Sequence, residues 1–324
     1  MKFKATHTTA ALGVTFVGLL LAANPAFAED TGPGEWLQKM TSAVQTTDYE
    51  GTVIRIQDGT AEALKVVHVV SDGVIREKMV IQEGNGLEII RNGNEVHCIL
   101  PDRKSVLVGE WDDQSTLFST LPSSDIRFGS EYDVSIVRQE RVAGRKAIML
   151  AIRPHDDFRY GHRIWLDLET GFPLQTKLVD GGGQVIEQVK FADITLGQEI
   201  HASALMPSTN TDDFRWFTQP QKASKSGIET GWASSDLPSG FRMTSVHAEK
   251  MAGKDGSVTH MMFSDGLANV SVFIEPGTGE AAASRSRVGA ANSYSATIGE
   301  FRVTAVGEVP AATTEQIAKS MQLP

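Results

Sequence analysis

The sequence predicts a mainly β protein of α+β character, a large curled antiparallel sheet followed by a smaller α+β domain. Two observations predict it. From residue 51 onward, short runs rich in Val, Ile and aromatic residues recur at strand length. Between them stand Asp-Gly and Asn-Gly pairs, residues that tolerate the positive φ of tight hairpin turns.

Ahead of the sheet, residues 35–47 place Trp36, Leu37, Met40 and Val44 at helical spacing, which predicts an amphipathic helix. The strand runs GTVIRIQ, ALKVVHVV, GVIREKMVIQ, GLEIIRN, EVHCIL and KSVLVG are punctuated by Asp58-Gly59, Asp72-Gly73, residues 83–86, Asn92-Gly93 and Pro101-Asp102. Sequential strands joined by such turns are neighbours in a meander. A helical interlude is expected at 114–121. Strands then resume at YDVSIVRQERV, KAIMLAIRP, GHRIWLDLE, LQTKLVD and VIEQVKFADI. About eleven strands make a sheet wide enough to curl, and its concave face needs a cover.

The polar, Pro-containing run at 218–227 has linker composition, and the boundary falls at 213–227. The expected organisation is a leader at 1–28, a large domain at 29–212 and a small domain at 228–324. The small domain holds the runs FRMTSVHAE, SVTHMMFS, NVSVFIE, SYSATIG and FRVTAVGEV. Its last helix is capped by Thr313 or Thr314, and residues 277–291, rich in Gly, Ala and Ser, are expected to be a mobile loop.

Lys2 and Lys4, an uncharged run at 10–23 and the triplet Ala26-Phe27-Ala28 form a secretory leader with a small-x-small cleavage site. The apolar run is too short to cross a bilayer, so a soluble exported protein is expected. The formal net charge of −10 becomes −12 without the two leader lysines, a balance that repels nucleic acid. Cys98 is the only cysteine, so no intrachain disulfide can form. It sits in an apolar strand where no positive neighbour suggests an activated thiolate, as a structural cysteine does.

No nucleophile elbow, H-E-x-x-H helix, phosphate-binding loop or dinucleotide fingerprint is present. No catalytic residue, cofactor or metal ligand is therefore named, and an enzyme is not expected. His155-Asp156-Asp157 reads either as a cation site or as a solvated turn.

The stretch FRYGHRIWLDLETGFPLQT, residues 158–176, mixes aromatic and basic residues. Strand alternation puts Phe158, Tyr160, His162, Ile164 and Leu166 on one face and Arg159, Gly161, Arg163, Trp165 and Asp167 on the other. Between Arg138 and Arg163 stand seven basic residues (Arg138, Arg141, Arg145, Lys146, Arg153, Arg159, Arg163) and three acidic ones, a local reversal of the chain's charge. This row is either solvated strand charge that discourages edge pairing or an anion-binding rim beside an apolar cavity.

The ordered set YEGTVIRI, SDGVIREKMVIQEGNGLEIIRNGNEVHCILPD, RVAGRKAIMLAIRP, YGHRIWLDLETGFPLQTKLVD, LPSGFRM, FSDGLANVSVFIEP and VTAVGEVPAATTEQIAKSM resembles the MucB/RseB family of periplasmic regulators. Residues 203–231 and 277–291 depart from the pattern. The resemblance implies a large domain similar to the lipoprotein carriers LolA and LolB, an unclosed antiparallel β-barrel covered by helices. It also implies binding to the periplasmic domain of a membrane anti-sigma factor, which is shielded from a site-1 protease until lipid or lipopolysaccharide releases it. Met79, Ile81, Ile89, Arg138, Arg153, Arg159, Arg163 and Trp165 are the candidate lipid- or partner-binding residues. A lipid or lipoprotein carrier without a regulatory partner is the alternative, and a homo-oligomer is left open.

Overall fold

The turn chemistry reads directly into the backbone. Asp58, Gly59, Asp72, Gly73 and Gly93 all adopt positive φ, from 51° to 76°, the conformation that matches a tight turn to the twist of its strands. A computed structural model describes residues 31–110, 117–118, 121–122, 130–218, 230–250, 257–277 and 282–323. The leader at 1–28, most of the helix expected at 114–121 and the 219–227 part of the expected linker lie outside the described residues.

Twelve strands form the large sheet: β1 (Tyr49–Gln57), β2 (Thr60–Ser71), β3 (Val74–Ile81), β4 (Glu88–Asn92), β5 (Glu95–Leu100), β6 (Ser105–Glu110), β7 (Tyr132–Val142), β8 (Arg145–Pro154), β9 (Gly161–Asp167), β10 (Pro173–Val179), β11 (Val185–Leu196) and β12 (Arg215–Thr218). Their spatial order is β12-β6-β5-β4-β3-β2-β1-β11-β10-β9-β8-β7. Two meanders are therefore joined through the long-range antiparallel pair β1–β11, and the sheet is not closed, with β12 and β7 at its ends.

One face can be followed across the sheet by register. Val53 lies opposite Leu64, Val66 opposite Met79 and Met79 opposite Ile89. Arg55, two residues after Val53, lies opposite Val189, which continues to Thr176, Ile164 and Leu150. This inner face carries the apolar side chains. On it, helix α1 (Pro33–Thr46) packs Trp36, Leu37 and Met40 with Ile148, Leu150, Ile152, Ile164 and Leu166. Pro33 starts the helix at the position where its missing N–H is harmless.

The C-terminal part consists of β13 (Ala233–Ser234), β14 (Arg242–Lys250), β15 (Ser257–Ser264), β16 (Asn269–Pro276), β17 (Ser284–Val288), β18 (Ala291–Ile298), β19 (Phe301–Gly307), α2 (Ala311–Ser320) and β20 (Met321–Gln322). Six of these strands form a sheet of order β14-β15-β16-β19-β18-β17, and β13 pairs with β20. Helix α2 buries Ile317 and Ala318 in one core with Phe263, Val270 and Val303. No helix among the described residues is long and apolar enough to cross a membrane.

Three local expectations change. Arg215–Thr218, inside the expected linker, is a strand running parallel to β6; Trp216 and Phe217 supply β propensity that the polar neighbours obscure, and Trp216 meets His97 edge-on at 5.3 Å. Residues 284–288 of the expected mobile loop form β17, because an exposed Ser-Arg strand pairing on one side needs no apolar face. Helix α2 is preceded by Pro310 as its cap residue. Thr313 and Thr314 are instead inside the helix and fully buried, their hydroxyls donating to Phe158 O at 2.6 Å and Ala311 O at 3.1 Å.

Candidate functional site

The inner face of the large sheet and the turn between β15 and β16 enclose a cavity of about 500 Å³, within the usual range for small-molecule sites. Leu64, Met79, Phe118, Leu121, Leu178 and Val189 line its apolar part, and the C-terminal sheet adds Leu267. Its polar part holds Arg55, His162 and Glu187, together with Glu308, which follows β19. The wall thus combines an apolar part with an at least equally large polar part that carries charge, and a pairing of that kind suits an amphiphile.

Electrostatics at that end follow from burial. Desolvation pushes the His162 imidazole down to about 4, so it is neutral at physiological pH. Withdrawal from water, then the nearby Glu308 carboxylate, raises the Glu187 pKa above the ordinary carboxylate value. Arg55 offsets part of this and also pairs with Glu62 at 2.8 Å.

Behind the cavity the same face carries a row of buried polar residues. Tyr49 lies opposite His68, His68 opposite Glu77 and Glu77 opposite Arg91. All four are at most 4% exposed. The Tyr49 and His68 rings stack at 4.7 Å, His68 Nδ1 is 3.6 Å from Glu77, and Arg91 Nε donates to Gly93 O at 2.6 Å. Buried charge of this kind penalises any strand slip that would separate the partners.

The candidate residues fall into separate places. Met79 lines the cavity, and Ile81 and Ile89 pack against the same core. Arg153 and Arg163 lie on the opposite face, because Ile164 and Leu150 point inward and strand alternation turns their neighbours outward; Trp165 shares that alternation but is buried in the same core cluster as Met79. Trp165 is 4% exposed; its Nε1 donates to Glu140, and the Lys177 ammonium sits 5.5 Å above its ring. Arg138 is exposed and pairs with Glu140 at 3.3 Å.

The basic row is therefore not one rim. Arg145 is held by Asp167 and Glu169, and Arg159 is buried to 1% exposure. The cation at the cavity is Arg55, which the charge count missed, whereas Lys177 lies opposite Arg163 and reaches over the Trp165 ring on the other face. The signal was the strand run Val53-Ile54-Arg55, where an arginine shares its face with an inward valine. Of the triplet read as a cation site or turn, His155 bonds Ser130 O at 2.7 Å and contacts Asp133 at 3.0 Å, while Asp156 pairs with Arg159. Among the described residues no cluster of three or more His, Cys, Asp or Glu could hold a metal. Burial raises the pKa of half-buried Cys98.

The stretch at 158–160 is the joint to the C-terminal sheet. Phe158 O accepts from Thr313. Arg159 Nε donates to Asp265 Oδ2 at 2.5 Å, Nη1 reaches Asp156 and Nη2 reaches Ser239 O. Tyr160 Oη accepts from Asn292 Nδ2 at 3.0 Å. Three consecutive residues thus each grip a different C-terminal segment.

Comparison with known proteins agrees with this architecture. A model described as the MucB/RseB N-terminal domain matches residues 32–209, and one described as the MucB/RseB C-terminal domain matches residues 227–322. The chain is 30% identical over 313 residues to the sigma factor AlgU regulatory protein MucB of Pseudomonas aeruginosa, covering 94% of this chain and 95% of that protein. It is 25% identical to the sigma-E factor regulatory protein RseB of Haemophilus influenzae, over 94% and 95% of the two chains. Among solved structures, the Pseudomonas aeruginosa MucA/MucB complex matches with a TM-score of 0.70 at 27% identity, covering 90% of this chain and 98% of that one. With fold and matches in agreement over nearly the whole length, the chain belongs to the MucB/RseB family.

Proposed function

We propose that this protein is a periplasmic negative regulator of envelope-stress sigma-factor signalling. It binds the periplasmic domain of a membrane anti-sigma factor and shields it from a site-1 protease. Lipid or lipopolysaccharide entering the cavity triggers release, and the protein has no catalytic role. The observation that carries the reading is the likeness, across 90% of this chain, to MucB solved in complex with MucA(peri). The relatives' names as sigma-factor regulatory proteins support the regulatory role. In this reading the large sheet acts as a LolA/LolB-like unclosed barrel covered by helices, and the expected linker at 213–227, whose start is β12 of that sheet, leads on to the C-terminal domain.

The cavity supports the lipid trigger in energetic terms. Burying roughly ten methylenes at about 0.8 kcal/mol each offers about 8 kcal/mol before ordering costs. By linkage, whatever factor the lipid removes from partner affinity, the partner removes from lipid affinity. The test is the rate at which a site-1 protease cleaves the cognate anti-sigma periplasmic domain. Saturating protein slows it, and a lipopolysaccharide fragment restores it; unaltered cleavage at saturation sinks the regulatory reading. The cavity taken alone also suits a lipid or lipoprotein carrier, which would move acylated cargo between vesicles without any effect on that cleavage.

A further inference from the structure

We propose that the turn between β15 and β16, Asp265 to Ala268, is a latch coupling occupancy of the cavity to the seating of the C-terminal sheet on the large sheet. The proposal rests on the reading of the cavity as a site for an alkyl chain and adds how its filling is transmitted.

The two oxygens of the Asp265 carboxylate do different work. Oδ2 faces the large sheet, accepting from Arg159 Nε at 2.5 Å and from Tyr132 Oη at 2.7 Å. Oδ1 faces its own turn, accepting the backbone N–H of Leu267 at 2.9 Å and of Ala268 at 2.7 Å. A single side chain thus fixes the turn to the large sheet and sets the conformation that projects Leu267.

The bonds are dry. The Arg159 and Asp265 side chains are 0% and 2% exposed, and the guanidinium lies 5.5 Å from the Tyr132 ring centre and 5.2 Å from that of Phe241. Burial, then the Asp265 charge, raises the Tyr132 pKa, which keeps its hydroxyl a donor. A charge pair enclosed in this way is costly to separate partially, because each charge left behind is desolvated. The joint therefore favours two discrete arrangements over a continuous slide.

Leu267 is where the cavity meets this joint. It lines the cavity and packs against the cluster that contains Tyr132, Ile152 and Ile164. A chain that fills the cavity competes with Leu267 for the same apolar surface. Displacing Leu267 pulls on the backbone N–H groups that Asp265 holds, and so on Arg159. Filling and seating then oppose one another, and weakening the latch must tighten the binding of a filler.

The test uses the purified chain with Cys98→Ser and spin labels on Asp72→Cys and Glu300→Cys, two exposed positions on the large and C-terminal sheets. Electron–electron resonance gives the distance between sheets, with a dansyl-labelled medium-chain fatty acid as probe. Saturable probe binding shifts the distance distribution. Asp265→Asn, which keeps the turn acceptor and removes the charge facing Arg159, produces a shift without probe and raises probe affinity on the order of 5-fold. Leu267→Ala binds the probe with a smaller shift, and it carries the test if Asp265→Asn fails to fold. Binding that leaves the distance unchanged in the parent overturns the latch and spares the cavity reading. No binding to the parent or either variant overturns the cavity reading and the latch with it.

Discussion

Arg145 grips Asp167 with both arms of its guanidinium, Nε to Oδ1 at 2.9 Å and Nη2 to Oδ2 at 3.0 Å. The pair joins the start of β8 to the end of β9. Oδ2 also accepts the backbone N–H and hydroxyl of Thr170 at 3.0 and 2.9 Å, closing the turn before Phe172. Burial pushes the Asp167 carboxyl up, but the arginine fork and the Thr170 donors outweigh it and hold the pKa below the ordinary value. Because the folded value is depressed, the contribution is present above the unfolded value of about 3.9 and is lost as pH falls through the folded one. Asp167→Ala should cost about 2–4 kcal/mol in urea unfolding at neutral pH. The gap between parent and Asp167→Asn should close below about pH 4.

Glu187 should behave in the opposite sense. Its folded pKa is raised by withdrawal from water and by Glu308, so its neutral form favours the fold and that advantage disappears as pH rises through the folded value. Glu187→Gln should therefore melt above the parent near neutral pH. The difference should vanish toward the unfolded value of about 4.3, as calorimetry across that range would register.

Arg55 is the cation of the cavity wall, whereas Arg153, Arg163 and Lys177 are on the other face. Reversing Arg55 should weaken an anionic amphiphile by about 5-fold at low ionic strength, and by less in salt, since exposed charge is screened. Reversing Arg153 and Arg163 should change the same titration by less than about 2-fold, because solvated charges at a distance contribute little. Equal losses from the two changes would contradict the placement of the faces.

Gly51 faces the β11 backbone where β1 carries an irregular register between Thr52 and Val53. A Cβ there would lie 2.4 Å from Asp193 O and 3.2 Å from the Phe191 ring. Gly51→Ala should destabilise by about 1–3 kcal/mol, the cost of overpacking against atoms that cannot move aside, measured as a shifted urea midpoint.

Much of the fold was legible because it is written in local chemistry. Asp58-Gly59, Asp72-Gly73 and Asn92-Gly93 announce hairpins, and Trp36, Leu37 and Met40 announce the face of α1. Pairings set at a distance were not legible. Nothing near Arg215 says that β12 will run beside β6, and nothing in the Ser-Arg run at 284–287 demands a strand. The candidate site was legible only in part, through Met79. A count of charges cannot tell which strand face a residue takes, so the row from Arg138 to Arg163 read as one surface although Arg159 is interior and Arg153 and Arg163 face away from the cavity. Leu267 and Asp265, set in a short turn, gave no periodicity to read.

The grip of Phe158, Arg159 and Tyr160 on Thr313, Asp265, Ser239 and Asn292 bears on how members of this family exchange parts. A hybrid cut between residues 213 and 230 would join two halves along the chain yet leave that tripeptide facing acceptors and donors inherited from another lineage. Such hybrids should regain their native melting behaviour only when the tripeptide travels with the C-terminal half, so inheritance at this joint follows the contact and not the order of the polypeptide.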